Sequence, residues 1–172
     1  MAACIVCIRE TSPGERRVAL TPETAKKLGG LGARVLLERG AGVPAFFPDE
    51  AYAGVEFTDD ADAALAQADV LVCVQPPSNE RLRKLRPGAI VIGLLAPHAD
   101  PARVQAFVDG RLTAFPLEKL PRTTRAQAMD VLSSQAGMAG YKAVLLAAVL
   151  APRYFPMLTT AAGTIRPSKV LV

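Results

Sequence analysis

DVLVCVQPPSNERLRKLRPGAIVIGLL, residues 69–95, is the stretch that decides the fold. Its two ends, DVLVCV (69–74) and AIVIGLL (89–95), are continuous apolar runs without polar alternation. That is the pattern of strands buried on both faces of a parallel sheet. Between them Ser78 is placed to cap a short helix, and Pro87-Gly88 to end the connection. Strand, helix and strand in this order make one right-handed crossover unit.

The same rhythm runs outward in both directions. Upstream, Ala3–Ile8 and Arg34–Glu38 read as strands, and Asp49–Tyr52 and Asp59–Ala66 carry helical signals. Thr21-Pro22-Glu23 opens a helix, with Thr as N-cap and Pro at the first helical position, and the Gly29–Gly32 cluster ends it. Downstream, Pro101–Val108 reads as a helix and Leu112–Phe115 as a strand. This alternation predicts the α/β class: a doubly wound, mostly parallel sheet of the Rossmann-like or flavodoxin-like kind. Ligands of such sheets bind beyond the carboxyl ends of the strands, so loops that follow strands are the places to search.

From about Met129 the period changes. Leu132, Ala136, Ala139, Ala143, Leu146 and Leu150 fall on one helical stripe, and Pro152 stops it. The tail reads as a linker entering a strand at Lys169–Val172. The expected division is an α/β domain over residues 1–150, then a linker and the first strand of a second domain over 151–172. A chain that ends as it enters an apolar run is expected to be a piece of a longer protein.

Composition narrows the function classes. At 172 residues, 51 % hydrophobic and 21 % charged, the chain is an ordinary globular protein able to bury one good core. The net charge of +4 is mild, and the one dense basic run (Arg81, Arg83, Lys84, Arg86) reads as a solvated helix face. With no Trp and no larger basic patch, nucleic acid is not an expected partner. The N-terminus lacks an export signal, and Met138–Leu150 is too short and too interrupted to span a bilayer. A cytoplasmic location without direct membrane insertion is expected. Cys4 and Cys7 form a CxxC, but residues three apart on a strand face opposite ways. With Cys73 and the sole histidine, His98, they make no metal site; core cysteines are expected.

PRTTRAQAMDVLSSQAG (121–137) concentrates hydrogen-bonding groups directly after a strand. Arg122 offers a planar fork suited to a pyrophosphate or a carboxamide oxygen, Asp130 could brace it, and Gln127 suits a ribose hydroxyl. Thr124-Arg125-Ala126-Gln127 equally fits a capping box, so the residues leave a purely structural reading open. GERRVALTPE (14–23) also follows a strand; Arg16 or Arg17 could take an anionic substrate, a neighbouring carboxylate, or simply flank a cap. GAGVPA (40–45), with Glu56 beyond it, mimics a dinucleotide fingerprint, but Pro44 and Pro48 oppose the helix that such a motif must enter. His98 follows a buried strand with no visible acid–base partner.

ETSPGERRVALTPETAKKL (10–28) resembles the opening of the alanine dehydrogenase and nicotinamide nucleotide transhydrogenase superfamily. PRTTRAQAMDVLSSQAGMAGYKAV (121–144) resembles the loop and helix of the NAD-binding alpha subunit of the proton-translocating branch. The resemblance spans nearly the whole chain. It implies that Arg122, Gln127 and Asp130 lie at the hydride-transfer site, with Thr124 and Ser133 also at the cofactor. It implies NAD(H) on this subunit, NADP(H) on a partner subunit, membrane subunits that move protons, a homodimer, and a peripheral place at the inner membrane. Alanine dehydrogenases carry a Lys after the fourth strand and a His directly after the fifth. Here those positions are Gln75 and Ala96, with His98 displaced by two, and Arg17 has lost its companions. The transhydrogenase branch is therefore expected. The resemblance also implies that the longer protein continues into a Rossmann domain with G-x-G-x-x-G, and that this stretch alone is inactive. The alternatives are an alanine dehydrogenase-like amino-acid dehydrogenase and a non-catalytic dimerisation or docking domain.

Overall fold

Strand β1 (Cys4–Cys7) lies between two parallel neighbours, β2 (Arg34–Glu38) and β4 (Val70–Val72). The computed structural model describes residues 2–171. With β3 (Glu56–Thr58), β5 (Ile90–Gly93) and β6 (Thr113–Pro116), the sheet runs β3-β2-β1-β4-β5-β6, every adjacent pair parallel. This is the doubly wound order expected from the apolar runs, and its winding reverses between β1 and β4. β2 occupies the residues read from the sequence. β3 was not anticipated: three residues, Glu-Phe-Thr, at the sheet edge give no apolar run to read.

The connections are α1 (Pro22–Gly30), α2 (Ala61–Gln67), α3 (Asn79–Leu82) and α4 (Pro101–Asp109). Thr21 caps α1 through its hydroxyl on the Thr24 N–H, with Pro22 at the first helical position. Ser78 caps α3 in the same way. The helix expected from Asp59 begins at Ala61, because the Asp60 carboxylate accepts the Ala63 N–H at 2.9 Å and fixes the start there. The helical signal at Asp49–Tyr52 is a 3-10 turn, Asp49–Ala51. GAGVPA leads into a second 3-10 turn, Val43–Ala45, closed by Phe46 at φ 65°, so no helix N-terminus faces a phosphate there. In the basic run, Lys84 pairs with Asp62 and Arg86 with Asp69.

Strand alternation sorts the core into two clusters. Cys4, Val6, Leu71, Cys73 and Val91 pack with Leu65, Leu82 and Phe107 from the helices on one face. Cys7, Val35 and Leu37 pack with Leu20, Ala25 and Tyr52 on the other. Each fully buried Leu or Val contributes roughly 1.5–3 kcal/mol of transfer free energy. Cys4 and Cys7 thus lie on opposite sides of the sheet, and all three cysteines are free and buried. Burial pushes the Cys7 thiol up to about 12 and raises that of Cys73 as well. A charged disulfide reagent at about pH 8 should label none of the three thiols in the folded protein and all of them after unfolding, since only thiolate reacts. Rapid labelling of a folded sample would mean that one face of the sheet is open.

The chain divides into two compact units, Met1–Met129 and Asp130–Val172. The second contains α5 (Val131–Leu150) and an antiparallel hairpin of β7 (Leu158–Thr160) and β8 (Gly163–Ile165). α5 starts and stops where the sequence suggested, but it does not show a single apolar stripe. Met138, Tyr141, Val144, Leu145, Leu146, Val149 and Leu150 are all exposed and cover more than half of its circumference, because large apolar side chains lie on other faces as well as on the expected stripe. Where a linker was expected the tail forms the hairpin, whose Thr and Gly residues carry little apolar signal. Lys169–Leu171 are not in a strand, and Val172 lies outside the described residues. Among the described residues no helix is long and apolar enough to cross a membrane.

Candidate functional site

Loops at the carboxyl ends of the central strands are tied together by carboxylates. Glu10, just beyond β1, accepts the backbone N–H groups of Val74 (2.6 Å) and Gln75 (3.0 Å), which pins the loop after β4 to the loop after β1. Burial raises the Glu10 carboxyl above its ordinary pKa, opposed by those two amides. Glu118 sits in a 3-10 turn, Leu117–Lys119, directly after β6. It accepts the N–H groups of Leu95 (3.2 Å) and Ala96 (2.5 Å) at the end of β5. From the other side Arg103 of α4 donates to the carbonyls of Leu95 (2.9 Å) and Ala96 (3.4 Å). Ala96 itself is left-handed, at φ 42°.

The loop carrying the two early arginines is closed on itself. Glu15 accepts from Arg17 Nε (2.8 Å) and Nη2 (2.6 Å) and from the Gln75 amide (3.0 Å). The Arg17 fork draws the Glu15 carboxyl down to about 2. The fork anticipated for an anionic ligand therefore already faces an acid two residues away, whose side chain is only 8 % exposed. Arg16 lies with its guanidinium 5.3 Å from the centre of the Phe46 ring. Beyond the ends of β1 and β4, Glu10, Thr11, Ser12, Gln75 and Arg81 line a narrow cleft. His98 is exposed and forms no hydrogen bond among the described residues. No cluster of three His, Cys, Asp or Glu suited to a metal occurs among the described residues.

The polar loop folds as a 3-10 segment, Thr124–Met129, in which Ala126 is the buried residue. Backbone bonds from Thr123 N to Pro121 O (2.9 Å) and from Ala126 N to Thr123 O (3.0 Å) set its turn. Arg122, Thr124 and Gln127 are exposed, and their side chains make no hydrogen bond or ion pair among the described residues. The capping box is not formed. α5 is capped by Asp130, whose Oδ1 accepts the Leu132 and Ser133 N–H groups (3.1 and 3.0 Å) while Oδ2 accepts the Ser133 hydroxyl (2.6 Å). A carboxylate satisfies two orphan amides at once and complements the helix dipole, which is why the helix starts there. Arg122, Thr124 and Gln127 thus share one short loop, and Asp130 and Ser133 form a knot at the head of α5. Glu10, Glu15 and Glu118 were missed in the sequence; their signal was an acid shortly after β1 or directly after β6, with bonding partners up to 65 residues away.

The chain is similar to known proteins over nearly its whole length. Residues 6–139 match the family described as alanine dehydrogenase/PNT, N-terminal domain. The chain is 43 % identical over 171 residues to an NAD(P) transhydrogenase alpha-subunit protein of Rhodospirillum rubrum, covering 95 % of this chain and 44 % of that protein. Its fold matches the crystal structure of transhydrogenase from Sinorhizobium meliloti with a TM-score of 0.88 at 42 % identity, covering 95 % of this chain and 49 % of that one. It is 33 % identical over 131 residues to the alanine dehydrogenase of Bacillus subtilis, covering 75 % of this chain and 34 % of that protein. The chain spans less than half the length of these relatives.

Proposed function

The chain belongs to the alanine dehydrogenase/PNT N-terminal domain family, and from that premise we propose that the complete protein is the NAD(H)-binding alpha subunit of a proton-translocating transhydrogenase. NADH held by this subunit passes hydride directly to NADP⁺ on a partner subunit, and membrane subunits couple the transfer to proton movement. Residues 1–150 are its first domain, and 151–172 lead into a Rossmann domain that holds most of the NAD. The subunit works as a homodimer, peripheral to the inner membrane on the cytoplasmic side through its partners.

The observation that carries this reading is the loop of Arg122, Thr124 and Gln127, whose side chains are exposed and make no hydrogen bond or ion pair among the described residues. Donors and acceptors left outward in a loop after a strand suit a dinucleotide better than a capping role. Arg122 takes a pyrophosphate or carboxamide oxygen, and Thr124 and Gln127 take ribose hydroxyls; Asp130, expected as a brace for the Arg122 fork, instead caps α5. The Ser133 hydroxyl donates to Asp130, so toward the ring it acts as an acceptor, matching a carboxamide N–H. Bound NADH supplies the hydride; these residues orient the ring and exclude water, which needs no general acid or base.

The site is poorly fitted to a keto acid. Gln75 brings no charge, Ala96 no proton, and the Arg17 fork is met by Glu15. With NADH deuterated at its reactive carbon, the assembled complex should move the label to NADP⁺ without exchange with water, and pyruvate with ammonium should oxidise no NADH. The reverse pair of results would establish the amino-acid dehydrogenase reading instead.

A further inference from the structure

We propose that Glu118 is a positioning residue, the anchor that places the Arg122 loop over the end of β5; this rests on the function proposed above. Of the loop's own side chains in Thr124–Met129, only Ala126 is buried, so the loop has little packing to locate it. Its starting point is fixed instead. Glu118 grips two successive amides, Leu95 and Ala96, and its two oxygens are each committed to one of them. That peptide is held from its carbonyl side by Arg103, so the point of attachment belongs to both β5 and α4.

The link from Glu118 to Arg122 is short and stiff. Pro121 fixes its own φ and confines Leu120 to extended backbone, and Leu120 has φ −57° and ψ 132°. A shift of Glu118 is therefore passed on to Arg122 rather than absorbed between them. Glu118 itself acts through the backbone, and Arg122 is the group that meets the cofactor.

Glu118→Ala removes both bonds. Glu118→Gln keeps the size but can accept from only one of the two amides and sets its own N–H₂ against the other. In the full-length protein assembled with its partners, both variants should slow single-turnover hydride transfer at saturating NADH and NADP⁺ by about tenfold or more, with NADH affinity changed less than about threefold. The Leu95 and Ala96 amides should exchange hydrogen faster. In an Arg122→Ala background, Glu118→Ala should cause no further loss of rate.

Transfer at the wild-type rate in both Glu118 variants, with Arg122→Ala slow, would overturn the anchor while sparing the site. Wild-type transfer in Arg122→Ala as well would remove the site reading itself. Fully additive losses would also overturn the anchor, since Glu118 would then act independently of Arg122. If Glu118→Ala fails to fold, Glu118→Gln carries the comparison.

Discussion

Arg122→Ala in the assembled complex lowers hydride transfer at saturating nucleotide by at least ~10²-fold and changes the unfolding free energy by less than about 0.5 kcal/mol. Both halves follow from the same observation. The side chain is exposed and makes no hydrogen bond or ion pair among the described residues, so removing it breaks no internal bond. Transfer between two nicotinamides depends on ring placement, and a misplacement of about 1 Å is enough for a loss of that size. Arg122→Lys should recover little, because an ammonium lacks the planar fork. Rapid-mixing kinetics beside a urea melt would measure both quantities. A variant that transfers at the wild-type rate ends the case for the loop.

The second large effect is structural. At Gly93, the last residue of β5, an added Cβ would lie 2.4 Å from the Cys73 carbonyl oxygen and 2.7 Å from its Sγ. The clash is with the backbone of the loop just beyond β4, which cannot swing aside. Gly93→Ala is expected to destabilise the protein by about 2–3 kcal/mol, read as an earlier midpoint in urea denaturation. It should also disturb the site, because Cys73 immediately precedes the Val74 and Gln75 amides that Glu10 holds. Cys73→Ala in the same chain would relieve the sulfur contact but not the carbonyl one, so rescue should be partial. Stability within about 0.5 kcal/mol of the wild type would show that the β4 and β5 ends are looser than this packing implies.

The sheet was legible because its central strands are unbroken apolar runs, and β2 is bounded by glycines that mark its ends. β3 was not, since Glu56 faces Arg34 at the edge and only Phe57 packs inward. The start of α5 was legible as the change of period near Met129, but its cap was not: Thr124 and Gln127 have capping-box spacing, yet Asp130 caps through two amides and a hydroxyl. The loop residues were visible as chemistry concentrated in sequence. The framework beneath them was not, because Glu10 and Glu118 meet backbone amides, which no side-chain pattern announces. The role of Arg17 stayed open between a substrate, a carboxylate and a cap because its partner Glu15 looked like an ordinary loop residue.

The sheet that separates Cys4 from Cys7 also keeps that pair from acting as a dithiol. An oxidant cannot staple these two sulfurs without tearing β1 from both neighbours, so the CxxC gives neither a switch nor a weak point. The two thiols of the CxxC can therefore sit in a protein proposed to handle reducing equivalents without bridging to each other.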